Sequence, residues 1–264
     1  MFSSARATPE IGTRRLLKGG STKFLLPETS DKLQFKKNVL IGYSDVSVAG
    51  SRALLGLNMR VEYEVLPVPQ MSGCTPLCER SEAPGVKEQH FQPLQVLQCK
   101  YEEYSCVIIN TIVPADKCQH VANKIIDLCI ESKVKKVILL TTLKLDKIPD
   151  HQLKPLYEST FNTKPVTSKP ALPPDTKICD PLLSTLIQMI QIEAIPCNCL
   201  TVPGHRAMAG KANIYDESQQ AILTFHKVLK KWSHLDFSDD ISLSLVYNSL
   251  EVEDQSAMST LMYG

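Results

Sequence analysis

Apolar residues recur along this 264-residue chain with two different periods, and the order of those periods is that of an α/β protein. Residues 38–43 (NVLIGY) and 61–66 (VEYEVL) are short apolar runs with β-branched and aromatic residues, and both are predicted as strands. Between them Val48, Ala49, Ala53, Leu54 and Leu57 return at helical spacing, which predicts a crossover helix within residues 45–57. Gly50 and Gly56 weaken that pattern, because glycine costs a helix about 1 kcal/mol relative to alanine. Residues 94–99 (LQVLQC) and 104–110 (YSCVIIN) are separated by Lys100, Tyr101, Glu102 and Glu103, the spacing of an antiparallel hairpin. Pro114 stands where a helix would begin, and Cys118, Val121, Ala122, Ile125 and Cys129 form one stripe of a helix lying on a sheet. Residues 134–142 (VKKVILLTT) then carry the continuous aliphatic run of a buried, parallel strand.

The second half repeats the theme. Asp180 followed by Pro181 is a helix cap with proline at the first helical position, and residues 182–192 are apolar on most sides, which predicts deep burial. Residues 197–202 follow as a strand. Asp216 is placed to cap a last helix whose stripe is Ala221, Ile222, Phe225, Val228, Leu229 and Trp232. Proline-rich stretches at 67–93 and 144–178 are expected as exposed insertions with no regular structure. In 236–264 the alternation of Ile241, Leu243, Leu245 and Tyr247 predicts a strand or an extended arm. The organisation expected is therefore a basic, disordered arm at 1–23, a single α/β domain at 24–235 and a C-terminal arm at 236–264. Arg6, Arg14, Arg15, Lys18 and Lys23 give the first arm a presequence-like bias, but Pro9 and the Gly19-Gly20 pair cut short any amphipathic helix there.

Composition narrows the function. Twenty-nine Lys and Arg against twenty-eight Asp and Glu leave a net charge of +1, no field for general binding to nucleic acid or an anionic membrane. No apolar run approaches the roughly 20 residues of a membrane helix, and the first ten residues lack the apolar core of a secretion signal. Nine scattered cysteines, an odd number, fit a reducing compartment, and the cytoplasm is the expected location. Cys74 with Cys78 and Cys197 with Cys199 lack the spacing of zinc ligands; the second pair shares one face of a strand and is expected in the core. No metal and no cofactor are expected.

Candidate chemistry is sparse. His205 and Arg206 follow the strand end Val202-Pro203-Gly204, where α/β sheets place their ligands, and could hold an anion in a small-molecule enzyme. They stand alone: no GxSxG, P-loop, GxGxxG or HExxH pattern occurs, so an enzyme is the alternative and not the primary expectation. Adjacent Asp216 and Glu217 suit a helix N-terminus, and Lys227, Lys230 and Lys231 suit a helix C-terminus or an acidic partner.

The chain closes on Met262-Tyr263-Gly264, an apolar side chain, a ring with a hydroxyl and a terminal carboxylate, which together complement a basic socket on another protein. The hairpin at 99–110, the Pro114 helix, the strand beginning at Val134, the approach through Ile195-Pro196 to the strand at 197–202, and this terminus resemble the proteasome assembly chaperone 1 family in order and spacing. The resemblance covers about residues 90–264. It implies a non-enzymatic protein with a three-layer αβα fold and mixed central sheet, phosphorylase/hydrolase-like. It further implies a heterodimer with a proteasome assembly chaperone 2-like protein and binding to 20S proteasome α subunits through Met262, Tyr263 and Gly264.

Overall fold

A computed structural model describes residues 33–45, 47–57, 63–66, 71, 73–84, 90–145, 148–149, 152–204 and 214–247. A central sheet of seven strands is formed by β1 (Asn38–Tyr43), β2 (Tyr63–Leu66), β4 (Leu94–Cys99), β5 (Tyr104–Ile109), β6 (Lys136–Leu143), β7 (Tyr157–Phe161) and β8 (Cys197–Pro203). Their order is β2-β4-β5-β1-β6-β8-β7. The inner four, β5, β1, β6 and β8, are parallel, while β2, β4 and β7 run antiparallel to their neighbours. Both faces are covered, by α2 (Ala115–Glu131) and α3 (Pro181–Ile192) on one side and α1 (Ala49–Leu55) and α4 (Ile214–Ser233) on the other. This is the three-layer αβα arrangement with a mixed sheet.

Strand alternation divides the core between the layers. Val39, Ile41, Val137, Leu139, Cys197 and Cys199 face α2 and α3, whereas Leu40, Ile138, Leu140 and Leu200 face α1 and α4. Cys197 and Cys199 thus sit together as core thiols, and burial pushes the Cys199 thiol up to about 12. The α2 stripe is buried as expected, with Ile126 added to it. Asp180 caps α3 by accepting from the Leu183 amide at 2.7 Å.

Four local expectations are corrected. α3 buries Leu182, Leu183, Leu186, Ile187 and Ile190 along one face only, and Ile192 is 78% exposed, so the helix is amphipathic and not enclosed. The 67–93 stretch contains β3 (Cys78–Ser81) and buried Met71, Leu77, Ala83 and Phe91. Asn110 makes that possible: its side chain accepts from the Cys78 amide at 3.0 Å and donates to the Cys78 carbonyl at 2.7 Å, supplying a strand's hydrogen bonds from an amide. The 144–178 stretch contains β7, an edge strand on β8 flanked by prolines that an edge tolerates. Finally, α4 starts at Ile214, ahead of Asp216, and the side chains of Asp216 and Glu217 lie outside the described residues.

The expected arm at 236–264 also begins later. Residues 239–247 form α5 (Asp239–Leu243) and β9 (Leu245–Tyr247), which pairs with β3 in a second, two-stranded sheet. Phe237, Ile241 and Leu245 are buried, so this segment belongs to the body. The remainder of the C-terminal arm and the basic arm at 1–23 lie outside the described residues.

Candidate functional site

The carboxyl ends of the parallel strands are where this architecture holds ligands, and here they are crowded by the chain's own groups. Asp45, just after β1, accepts hydrogen bonds from the Thr142 amide and, at 3.2 Å, from the Ser47 amide. Ser47 Oγ and Thr142 Oγ1 are 2.8 Å apart, and the Tyr43 hydroxyl lies 3.1 Å from Thr141 Oγ1. Burial pushes the Asp45 carboxyl up to about 6 despite its donors, and nearby Asp180 adds to the shift. Burial also raises Tyr43 well above the ordinary tyrosine value. Gly204 closes the floor: its amide donates to the Leu143 carbonyl at 3.0 Å, and a Cβ there would lie 2.9 Å from Thr142 Cβ. His205 and Arg206, the alternative enzyme residues, lie outside the described residues.

A second constellation is absent from the sequence reading. Asp239 Oδ1 lies 2.5 Å from His226 Nδ1, and His226 Nε2 lies 3.3 Å from Ser242 Oγ. The residue types are those of a nucleophile, base and orienting acid. The Asp239–His226 contact is made, but the shorter hydrogen bonds of His226 Nε2 and the Ser242 hydroxyl go to backbone carbonyls. His226 Nε2 is 2.9 Å from the Ala53 carbonyl oxygen, and the Ser242 hydroxyl donates to the Arg52 carbonyl at 2.8 Å. Both Ser242 and His226 are buried, and the imidazole stacks on Phe237 with 5.3 Å between ring centres. The Arg52 guanidinium, wholly buried, donates to the Ser242 carbonyl from Nε at 3.3 Å and from Nη2 at 3.0 Å, and to Ser218 Oγ at 3.0 Å. The set binds α1, α4 and α5 to one another. Arg52 and Ser242 are separated by 190 positions, so no local pattern could reveal it.

Among the described residues, no three His, Cys, Asp or Glu side chains come together as metal ligands. Among the same residues, no helix is long and apolar enough to cross a membrane. Lys230 reaches Asp239 at 3.8 Å, so one of the three α4 lysines has a local partner. Trp232 is held beside the amino end of β6, away from the carboxyl ends: Lys136 Nζ lies 4.4 Å from its ring centre, and its indole donates to the Val166 carbonyl at 3.4 Å. Met262, Tyr263 and Gly264 lie outside the described residues, and the last described position before them is Tyr247.

No protein-family model matches the chain, and no curated protein matches it. Solved structures do. The three-layer fold is shared with homologues of proteasome-assembly chaperones. One is PbaA of Pyrococcus furiosus, an archaeal homolog of proteasome-assembly chaperone, at TM-score 0.56 and 14% identity over 87% of this chain and 95% of that one. A proteasome-assembly chaperone homologue of Mycobacterium tuberculosis matches at TM-score 0.52 and 9% identity over 86% and 95%. A Thermoplasma acidophilum protein of unknown function matches at TM-score 0.56 and 10% identity over 88% and 89%.

Proposed function

We propose that this chain is a non-enzymatic cytoplasmic chaperone of proteasome assembly. In this reading it pairs with a related second chaperone and holds the α-ring of the 20S proteasome through Met262, Tyr263 and Gly264. The observation that carries it is the conjunction of a hydrophobic-Tyr-any terminus with a fold shared by proteasome-assembly chaperone homologues. The two together support a docking role more than either does by itself. Further support comes from the polar groups at the strand ends and around Ser242, which are engaged with the chain's own backbone.

The body covers the outer face of the ring while the tail reaches a pocket between neighbouring α subunits. A carboxylate meeting a pocket lysine contributes about 1.5–3 kcal/mol as a charge-assisted hydrogen bond. Burying the Tyr263 ring adds a contribution of about 1.5–3 kcal/mol. Moderate tail affinity suits a partner that leaves once assembly is complete, and body and tail act as two linked sites.

Affinity purification of the chain from its source cells tests the identity of the partners. Proteasome α subunits and a related chaperone should come down together. Their joint absence, with other proteins recovered in their place, would overturn the reading.

A further inference from the structure

The parallel strands all begin at one end of the sheet, and the residues that lead into them there are basic. Lys36 and Lys37 precede β1, Lys133, Lys135 and Lys136 lead into β6, and Lys164 follows β7, which runs antiparallel and so finishes at the same end. These segments lie close together. The amides of Lys135 and Lys136 donate to the Lys37 carbonyl at 2.7 and 3.2 Å, and Asn198 Nδ2, near the start of β8, donates to the Lys164 carbonyl at 3.2 Å. The acids of this end are Glu102 and Glu103 in the β4–β5 turn, Glu131 ending α2 and Glu193 after α3. Lys37, with its Nζ 2.8 Å from Glu103, holds that carboxyl below its ordinary value, and Lys36 and Lys135 add to the pull. One carboxylate is thus shared among three ammonium groups. Among the described residues, Lys133, Lys135 and Lys164 are exposed and form no ion pair. Apolar side chains left in water gather at the same end. Seven large apolar residues are exposed among the described residues, and four of them, Tyr101, Ile130, Val166 and Ile192, stand here: in the β4–β5 turn, at the ends of α2 and α3, and in the loop after β7. Exposed apolar residues are ordinary when scattered and mark a contact when they collect.

We propose that the amino end of the sheet is the body's own docking face for an acidic surface of the α-ring, with Lys133, Lys135 and Lys164 steering the encounter and Ile130, Val166 and Ile192 anchoring it. The inference rests on the reading of the ring as partner and on no residue after Tyr247. Lysine is depleted in the cores of permanent interfaces and favours steering, so a lysine-rich face with separate apolar residues fits a partner that leaves. That partner is the ring and not the paired chaperone. A nucleic acid fits less well: the described arginines, Arg52 in α1 and Arg80 in β3, lie elsewhere, so no described guanidinium fork is present to grip phosphates. Aliphatic side chains such as Ile130 and Ile192 bury against apolar protein surface and offer no ring for a base to stack on. The four glutamates among the lysines repel a phosphate backbone or an anionic bilayer, but they complement cations on a protein.

The test measures association and dissociation of the full chain, paired with its second chaperone, on purified α-rings as salt is varied. Lys135→Glu combined with Lys164→Glu reverses two exposed charges, and Ile192→Ser removes an exposed apolar side chain, so neither change reaches the core. The proposal expects the charge-reversed chain to associate at least about ten-fold more slowly at low salt, with a shallower dependence on salt than the unaltered chain. It expects Ile192→Ser to leave association unchanged and to speed dissociation about five-fold. Lys135→Arg combined with Lys164→Arg keeps the charge and should associate as the unaltered chain does. Pairing with the second chaperone should be the same in all of them. Ring association equal in the unaltered and charge-reversed chains overturns the inference. So does loss of pairing with the second chaperone, which would assign this face to the pair, or loss of binding only to a short RNA or to phosphatidylserine vesicles run in parallel. If the unaltered pair does not bind the ring at all, the ring-binding reading itself fails; if it binds and the variants bind equally well, that reading stands and this inference falls.

Discussion

Gly42 and Gly50 meet backbone to backbone, such that a Cβ on Gly42 would lie 2.3 Å from the Gly50 carbonyl oxygen. A Cβ on Gly50 would lie 2.8 Å from the Leu140 carbonyl oxygen and 3.1 Å from that of Tyr43. The start of α1 is therefore pressed against β1 and β6 with no layer of side chains between. Gly50→Ala should destabilise the protein by about 1–3 kcal/mol through overpacking, although alanine is the better helix former by about 1 kcal/mol. Urea denaturation decides the sign. A gain in stability would show that α1 can shift away from the sheet.

Asn110 is a buried side chain standing in for a strand partner. Asn110→Ala leaves the Cys78 amide and carbonyl without their hydrogen bonds and should cost about 1–3 kcal/mol. The loss should appear first as faster hydrogen exchange at Cys78. Unaltered exchange would mean that β3 is held by β9 alone.

Glu158 organises the loop after β7 by accepting from the amides of Val166 at 2.8 Å and Thr167 at 2.7 Å, from the Thr167 hydroxyl, and from Asn198 Nδ2 at 2.7 Å. Glu158→Gln replaces one accepting oxygen by a donor facing other donors. It should cost about 2 kcal/mol and free the loop beside Trp232, read as a change in tryptophan emission. Emission identical to that of the unaltered chain would contradict the role given to Glu158.

The buried Asp45 makes stability depend on pH. Its carboxyl ionises near 3.8 in the unfolded chain and near 6 in the folded one, so between those values the native state holds a proton that the unfolded chain has released. Stability then falls as pH rises through that window, by about 3 kcal/mol from this group. Asp45→Asn should flatten the slope between about pH 4 and pH 6 in chemical denaturation. Equal slopes would show that Asp45 is not the source.

Legibility in the sequence followed burial and chain separation. The β6 run is readable because a central parallel strand is apolar on both faces, and the α2 stripe because one helix face meets one sheet. β3 is hidden because its partners are Asn110 and the distant β9, and its own pattern is only four residues with two charges. β7 is hidden by the prolines around it and by Glu158, whose burial depends on donors from a loop. Gly50 and Gly56 look like flaws in α1 from sequence alone; both are contact points, one with the sheet and one with α5. The Arg52, His226 and Ser242 set is assembled from three helices far apart in the chain, α1, α4 and α5, and leaves no local trace in the sequence, while Met262, Tyr263 and Gly264 lie outside the described residues.

The terminal anion has its own consequence. If the proposed tail docking holds, adding one residue after Gly264 displaces the carboxylate and should weaken ring binding as much as removing the tail does. Full binding by the extended chain would assign the affinity to Tyr263 and Met262 without the carboxylate.

The central claim is most directly tested by titrating purified α-rings with the chaperone pair, comparing the full chain with one lacking Met262, Tyr263 and Gly264. The account predicts weaker ring binding for the shortened chain, with its pairing to the second chaperone intact. Equal affinity of the two chains for the ring would contradict it.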